Sequence, residues 1–223
     1  APAVANLSAP GPNPEDVLYV YTWVTGFGEE SQPSPLSATL SYTPGVTQRI
    51  DGFATTPTGR NITHRRIYPS QTTITGATEL FFVTEIPVAT TSYDYDATVT
   101  PLGEAILTKD FDPPPADLSG LIQMPNGMMA AFSGRELYFC EPYQPHAWPE
   151  KYVQVVNAPI IGLAAFGSSV AVLTTESPYV LQGLTPDQMA SEVVEAALPC
   201  MSGRGIVDTG YTAIYPSTDG LIQ

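Results

Sequence analysis

From residue 17 onward the chain alternates apolar and polar positions in short runs. VLYVYTWVTGF puts Val17, Tyr19, Tyr21, Trp23 and Thr25 on one face of a strand and Leu18, Val20, Thr22 and Val24 on the other. Apolar groups on both faces predict a central strand rather than an edge. GFGEESQPSP (26–35) turns the chain, and LSATLSY (36–42) is expected to return as the partner strand. Four more runs follow: TQRIDGFA (47–54), NITHRRIYPS (61–70), ELFFVTEI (79–86) and TTSYDYD (90–96). Six short strands separated by turn residues predict a small β-sandwich over 15–97. The small, Pro-rich residues 1–14 are expected to be a flexible lead-in, and 98–119 a Pro-rich acidic linker.

After residue 120 the pattern repeats. GLIQMPNGMMAAFSGRELYFCEP, GLAAFGSSVAVLTTESPYVLQG and GIVDTGYTAIYPSTDGLIQ share one layout: apolar strand, tight turn, apolar strand, polar turn, strand. The first turns fall near Gly127, Ser168 and Gly210, the second near Gly134, Ser177 and Gly220, a period of about 42 residues. Strand-only repeats of that length predict β-propeller-like sheets over 120–223, each covering its neighbour's apolar face. MMAAF, VAVL and TAIY are expected as the inner strands, their alanines permitting close packing. Three units do not close a ring, so the array reads as incomplete, and the chain as a segment of a longer polypeptide or one whose remainder is not ordered. TPDQMASEVVEAALP (185–199) reads as loop and strand rather than helix.

Composition agrees with an all-β class: 23 prolines and 18 glycines in 223 residues, with few helix-forming runs. Lys plus Arg total 8 against 22 Asp plus Glu, a net charge of −14, which argues against gripping a phosphate backbone. The one basic cluster, His64-Arg65-Arg66, reads as two arginines on an exposed strand face. Cys140 and Cys200 match neither a disulfide framework nor a zinc spacing and are expected as buried free thiols. No apolar run is long enough to span a membrane as a helix.

CEPYQPHAWP (140–149) concentrates reactive side chains. A Cys–His nucleophile needs an aligned base and an orienting third group, and Cys140 follows the strand residues Leu137, Tyr138 and Phe139, a core position. Tyr143, Pro145, His146 and Trp148 are instead the candidate protein-interaction loop, stiffened by Pro142, Pro145 and Pro149. GFGEES has no helix after it to cradle phosphate. Asp94, Asp96, Glu104, Asp110 and Asp112 match no calcium loop and read as solvated charge. No catalytic, cofactor or metal residue is assigned, and the chain is expected not to be an enzyme.

YVYTWVTGFGEESQPSP, GRNITHRRIYPS and LIQMPNGMMAAFSGRELYFCEPYQPHAWP together resemble a virion-associated structural protein of tailed bacteriophages and prophages. The later IIGLAAFGSSVAVLTTESPYVLQG and STDGLI continue the match, which covers about residues 15–223. The hairpin YVYTWV…EESQPSP is similar to the last two strands of a fibronectin type III module, here placed first, as in a permuted module or one that borrows strands from a preceding domain. The resemblance implies a tail nozzle- or hub-type ring subunit in the virion, assembling with copies of itself and other tail proteins around the genome-delivery channel. Contact with DNA during genome ejection would be passive. The rival expectation is a surface-binding module that recognises a glycan or protein receptor through its propeller loops.

Overall fold

The computed structural model describes residues 1–72, 77–183, 185–194 and 197–223. The chain is all-β, built of several antiparallel sheets, none of them closed. It divides into two compact units, residues 1–109 and 110–223.

The first unit holds β1 (Ala3–Asn6), β2 (Glu15–Val17), β3 (Tyr19–Thr25), β4 (Leu40–Tyr42), β5 (Gln48–Asp51), β6 (Ile62–Thr72), β7 (Thr78–Leu80), β8 (Thr84–Pro87) and β9 (Tyr93–Tyr95). They form sheets β1-β5-β9 and β2-β4, and a third in which β6 pairs with β3, β7 and β8. One core draws on these sheets, with Val17, Tyr19, Ile50, Ile67, Val83, Ile86 and Tyr95 buried together. The expectation that β3 is central is corrected: it stands at the end of its sheet and ladders with β6 alone, yet Tyr19, Val20, Tyr21, Thr22 and Val24 are all buried.

Its expected partner is corrected. β3 pairs along its length with β6, from Tyr19↔Pro69 to Thr25↔Ile62, while β4 pairs with β2. The reason is chemical. Pro33 and Pro35 lack the N–H groups that an ordinary ladder needs. Serines at every third position replace that ladder. Backbone N–H groups of Ser31, Ser34 and Ser37 donate to the carbonyls of Trp23, Tyr21 and Tyr19 at 2.8–2.9 Å. Their hydroxyls in turn accept from the N–H groups of the same three residues at 2.9–3.2 Å. A three-residue period suits an extended polyproline-like segment, and it leaves no open edge on β3. Ser37→Ala therefore strands the buried Tyr19 N–H, and about 1–3 kcal/mol of stability should be lost in urea unfolding.

The flexible lead-in is also corrected. Ala3–Asn6 pair with β5 in the register Ala3↔Asp51 to Asn6↔Gln48, and Val4 packs on the core. The acidic linker does not run free either. Ala105 bridges Phe81, and Ile106 N–H donates to the Leu80 carbonyl at 2.8 Å, so residues to 109 belong to the first unit.

Burial pushes the Tyr95 phenol up to about 12, and Tyr19 and Tyr68 also rise. These phenols hold their protons more tightly folded than unfolded. Their contribution to stability is thus intact below about pH 10, the unfolded value, and is lost as the pH climbs beyond it. Alkaline titration should show a late phenolate step that coincides with loss of the fold.

The second unit holds β10 (Ser119–Gln123), β11 (Met129–Ser133), β12 (Glu136–Phe139), β13 (Gln154–Val155), β14 (Ile160–Phe166), β15 (Ser169–Thr174), β16 (Tyr179–Gln182), β17 (Ala190–Val193), β18 (Val207–Asp208), β19 (Ala213–Ser217) and β20 (Gly220–Ile222). They make three sheets of consecutive antiparallel strands: β10 to β13, β14 to β17, and β18 to β20. The turns fall where the repeat puts them, with Gly127, Gly134 and Gly210 at positive φ. Two sheets carry a fourth strand beyond the three of the repeat: β13, which was not expected, and β17, which falls in the 185–199 segment read as loop and strand. Between β16 and β17 lies a 3-10 turn, Pro186–Gln188, and residues 195–196 of the 185–199 segment lie outside the described residues.

The middle sheet explains the continuous apolar runs of its strands. Leu163, Ala165, Val170 and Val172 face Met128, Ala130, Leu137 and Phe139 of the first sheet. The alternate residues Ala164, Ala171 and Leu173 face Ala213 and Tyr215 of the third. Both faces of a two-strand ladder are thus dry. The strands that meet between sheets are not MMAAF, VAVL and TAIY alone: β14 lies against β10 and β11 on one side and β18 and β19 on the other. Gly203 makes the second approach close, since a Cβ there would stand 2.7 Å from the Ile161 carbonyl oxygen.

Candidate functional site

The 140–149 loop is built from its backbone outward. Glu141 N–H donates to the Ala147 carbonyl at 2.9 Å, and the N–H groups of Gln144 and Ala147 donate back to Glu141 and Gln144 at 3.0 Å. This closes a compact knot between β12 and the 3-10 turn Glu150–Tyr152. Trp148 is its pillar. The indole is 4% exposed and packs on Ala131 and Cys140, on the face of the first sheet that the second sheet does not cover. Its Nε1 donates to the Pro145 carbonyl at 2.9 Å, and its backbone N–H to the Asp112 carbonyl at 2.8 Å.

The other candidates divide. His146 is half-buried, edge-on to Phe111 at 5.9 Å between ring centroids. Pro145 is exposed. Tyr143 is 77% exposed and adopts φ +60°, an unusual state for an aromatic residue. Its N–H donates to the Gly127 carbonyl at 2.9 Å, and its ring occupies the space a side chain at 127 would need, with Cε1 2.5 Å from the ideal Cβ. Two of the four thus pack inward, and two, Tyr143 and Pro145, remain at the surface.

The thiols are free and buried. Burial pushes Cys140 up, against the hydrogen bond that Sγ accepts from Met129 N–H at 3.0 Å. Cys200 rises for the same reason. A thiol held protonated is a weak nucleophile. No protein-family model and no curated protein matches this chain.

Of the five acidic residues near the expected linker, Glu104 is exposed and the other four have partners. Asp94 forms a bidentate pair with Arg49 at 2.8 Å, which holds its carboxyl below the usual range. Asp96 accepts from Thr98 and also falls. Asp110 pairs with Lys151 at 2.9 Å, and Asp112 accepts from Glu150 N–H at 3.1 Å. Among the described residues, no group of three or more His, Cys, Asp or Glu is placed to hold a metal ion.

The basic cluster is corrected as well. Arg65 is 5% exposed, with its guanidinium 4.6 Å from the Trp23 ring centroid and 5.0 Å from that of Phe53. It donates to the carbonyls of Val88 and Thr90 at 2.9 and 3.1 Å, and burial lowers its pKa. Arg66 binds Glu30 at 2.7 Å and Glu85 at 2.8 Å. Burial pulls Arg66 down, but the two carboxylates outweigh it and the net shift is upward.

The Glu30 constellation was not visible in sequence. Its carboxylate, with an 11% exposed side chain, accepts from the hydroxyls of Thr22 and Tyr68 at 2.6 Å as well as from Arg66. Tyr68 rises through burial and then through Glu30. The network fixes the 26–35 turn to β3 and β6.

Proposed function

We propose that this chain is a structural subunit of a bacteriophage tail, a ring-forming component of the nozzle or hub type. In this reading the first unit is a fibronectin III-like module and the second a propeller-like array. The observation that carries it is the middle sheet, β14 to β17, whose two apolar faces are both covered by neighbouring sheets. Such serial burial makes a stiff body without a cofactor, suited to mechanical work. The Ser31, Ser34 and Ser37 ladder beside β3, read from the segment similar to the end of a fibronectin III module, supports the first half.

The charge fits the proposed channel role. Of the eight basic residues, Arg49, Arg66 and Lys151 are paired with carboxylates and Arg65 is buried. A surface at net charge −14 lets DNA slide past rather than holding it. Mass analysis of purified virions should find the chain, and images of the native assembly should show it repeated around a rotational axis. A monomer absent from particles would overturn the proposal.

One observation favours a second reading, a surface module for a glycan or protein receptor. Tyr143 is displayed with its ring fixed against Gly127, a preorganised aromatic anchor. Loss of receptor binding in Tyr143→Ala, with particle assembly intact, would select it.

A further inference from the structure

One ladder pair recurs in each sheet of the second unit: Ile122↔Ala130, Ala164↔Ala171 and Val207↔Ile214. The steps are 42 and 43 residues on the first strand and 41 and 43 on the second, the period of the repeat. In the first sheet the pair joins the core shared with the second sheet, and in the second sheet it joins the core shared with the third. In the third sheet the same pair meets solvent, with Val207 54% exposed and Ile214 half-buried.

Strand alternation explains the difference. Ala213 and Tyr215 point into the core shared with the second sheet, so Ile214 and Pro216 point away from it. The register sets Val207 opposite Ile214 and Leu221, 76% exposed, opposite Pro216. Thr209 N–H donates to the Thr212 carbonyl at 3.1 Å, and the same alternation brings both threonines to this face. The outward face of the third sheet is thus apolar along its middle, and none of these six residues carries a charge.

The other end of the stack is sealed. The outward face of the first sheet, with Ala131 and Cys140, lies under Trp148, and all three are buried. A copy offering its first sheet to the open face would present that loop instead of a bare apolar sheet, so head-to-tail stacking lacks one of its two surfaces. The open face of a second copy, turned about a two-fold axis, supplies what is missing, and two-fold contacts are the commonest between identical chains. Charge points the same way. Each copy carries −14, and opposing carboxylates across a contact is costly. A face without charge is where two such chains meet at least cost, and it offers no ion pair to a basic or phosphate-bearing partner.

We propose that the outward face of the third sheet is a self-association surface, on which Val207, Ile214 and Leu221 of one copy pack against the same three residues of another, so that two three-sheet stacks become one of six. The inference rests on the fold of the second unit and not on the tail reading, so images of virions and the test below can fail independently.

Sedimentation velocity on the whole chain, from about 5 to 500 µM, provides the test. Three short strands offer less than the roughly 800 Å² per partner of a standard interface, so the dimer should appear in the upper part of that range. Leu221→Glu and Val207→Glu sit at exposed positions and should melt close to the natural chain. Each should raise the dissociation constant at least about ten-fold. Leu107→Glu, 81% exposed but in the first unit, should leave it unchanged. Added salt should strengthen the dimer by screening the repulsion between two acidic copies. The proposal is overturned if the natural chain stays monomeric at about 500 µM, if its first oligomer is larger than a dimer, if both glutamate variants pair as tightly as the natural chain, or if salt dissociates the dimer.

Discussion

Trp148→Ala should destabilise the second unit by about 3–5 kcal/mol, the cost of deleting a large buried aromatic side chain. The indole covers Ala131 and Cys140, so its removal opens a cavity on the first sheet and exposes a thiol that is now fully buried. It also removes the Nε1 bond to Pro145 that fixes the loop's curvature. Denaturant unfolding of the variant should show a lower midpoint, and a thiol reagent should reach Cys140 in it faster than in the natural chain. Tyr143→Ala, on the same loop but 77% exposed, should change stability little. A Trp148→Ala variant as stable as Tyr143→Ala would mean that the loop is an ornament on the sheet and not its cover.

Glu30→Ala should cost the first unit about 3 kcal/mol, because it strands donors that converge on one nearly buried carboxylate. Thr22 and Tyr68 lose their acceptor, and Arg66 keeps only Glu85. Glu30→Gln retains an acceptor oxygen and should cost less. Glu85→Ala, at the more open end of the network with a side chain 35% exposed, should cost least. That order, read from urea midpoints of the three variants, separates a buried pin from a surface ion pair.

What the sequence discloses here follows from burial. β3, β14 and β15 carry apolar residues on both faces and so announce themselves, and the turn glycines mark the repeat. β13 does not, since Gln154–Val155 is too short for a period, and β17 shows only as a strand somewhere in 185–199, because all four residues of Ala190–Val193 are exposed. β1 is hidden for a similar reason, since AVAN contains only one sizeable apolar side chain. The serines at 31, 34 and 37 did leave a signal, but at period three, between prolines, where a search for alternation at period two does not find it.

The site residues were harder for a different reason. An aromatic in a proline-rich loop has no periodicity that tells whether it faces inward, so Trp148 and Tyr143 look equivalent in the sequence and are opposite in the fold. Glu30 meets Arg66 and Tyr68 across 36 and 38 positions of chain.

The central claim is that three successive sheets hide one another's apolar faces and that the middle one is therefore the driest part of the second unit. Amide hydrogen exchange tests it strand by strand. The account predicts the slowest exchange in β14 and β15, intermediate rates in β11 and β12, and rapid exchange in β17 and β20, which lie at sheet edges. Exchange in β14 and β15 as rapid as in β20 would contradict it, because a sheet buried on both sides cannot open as readily as an exposed edge.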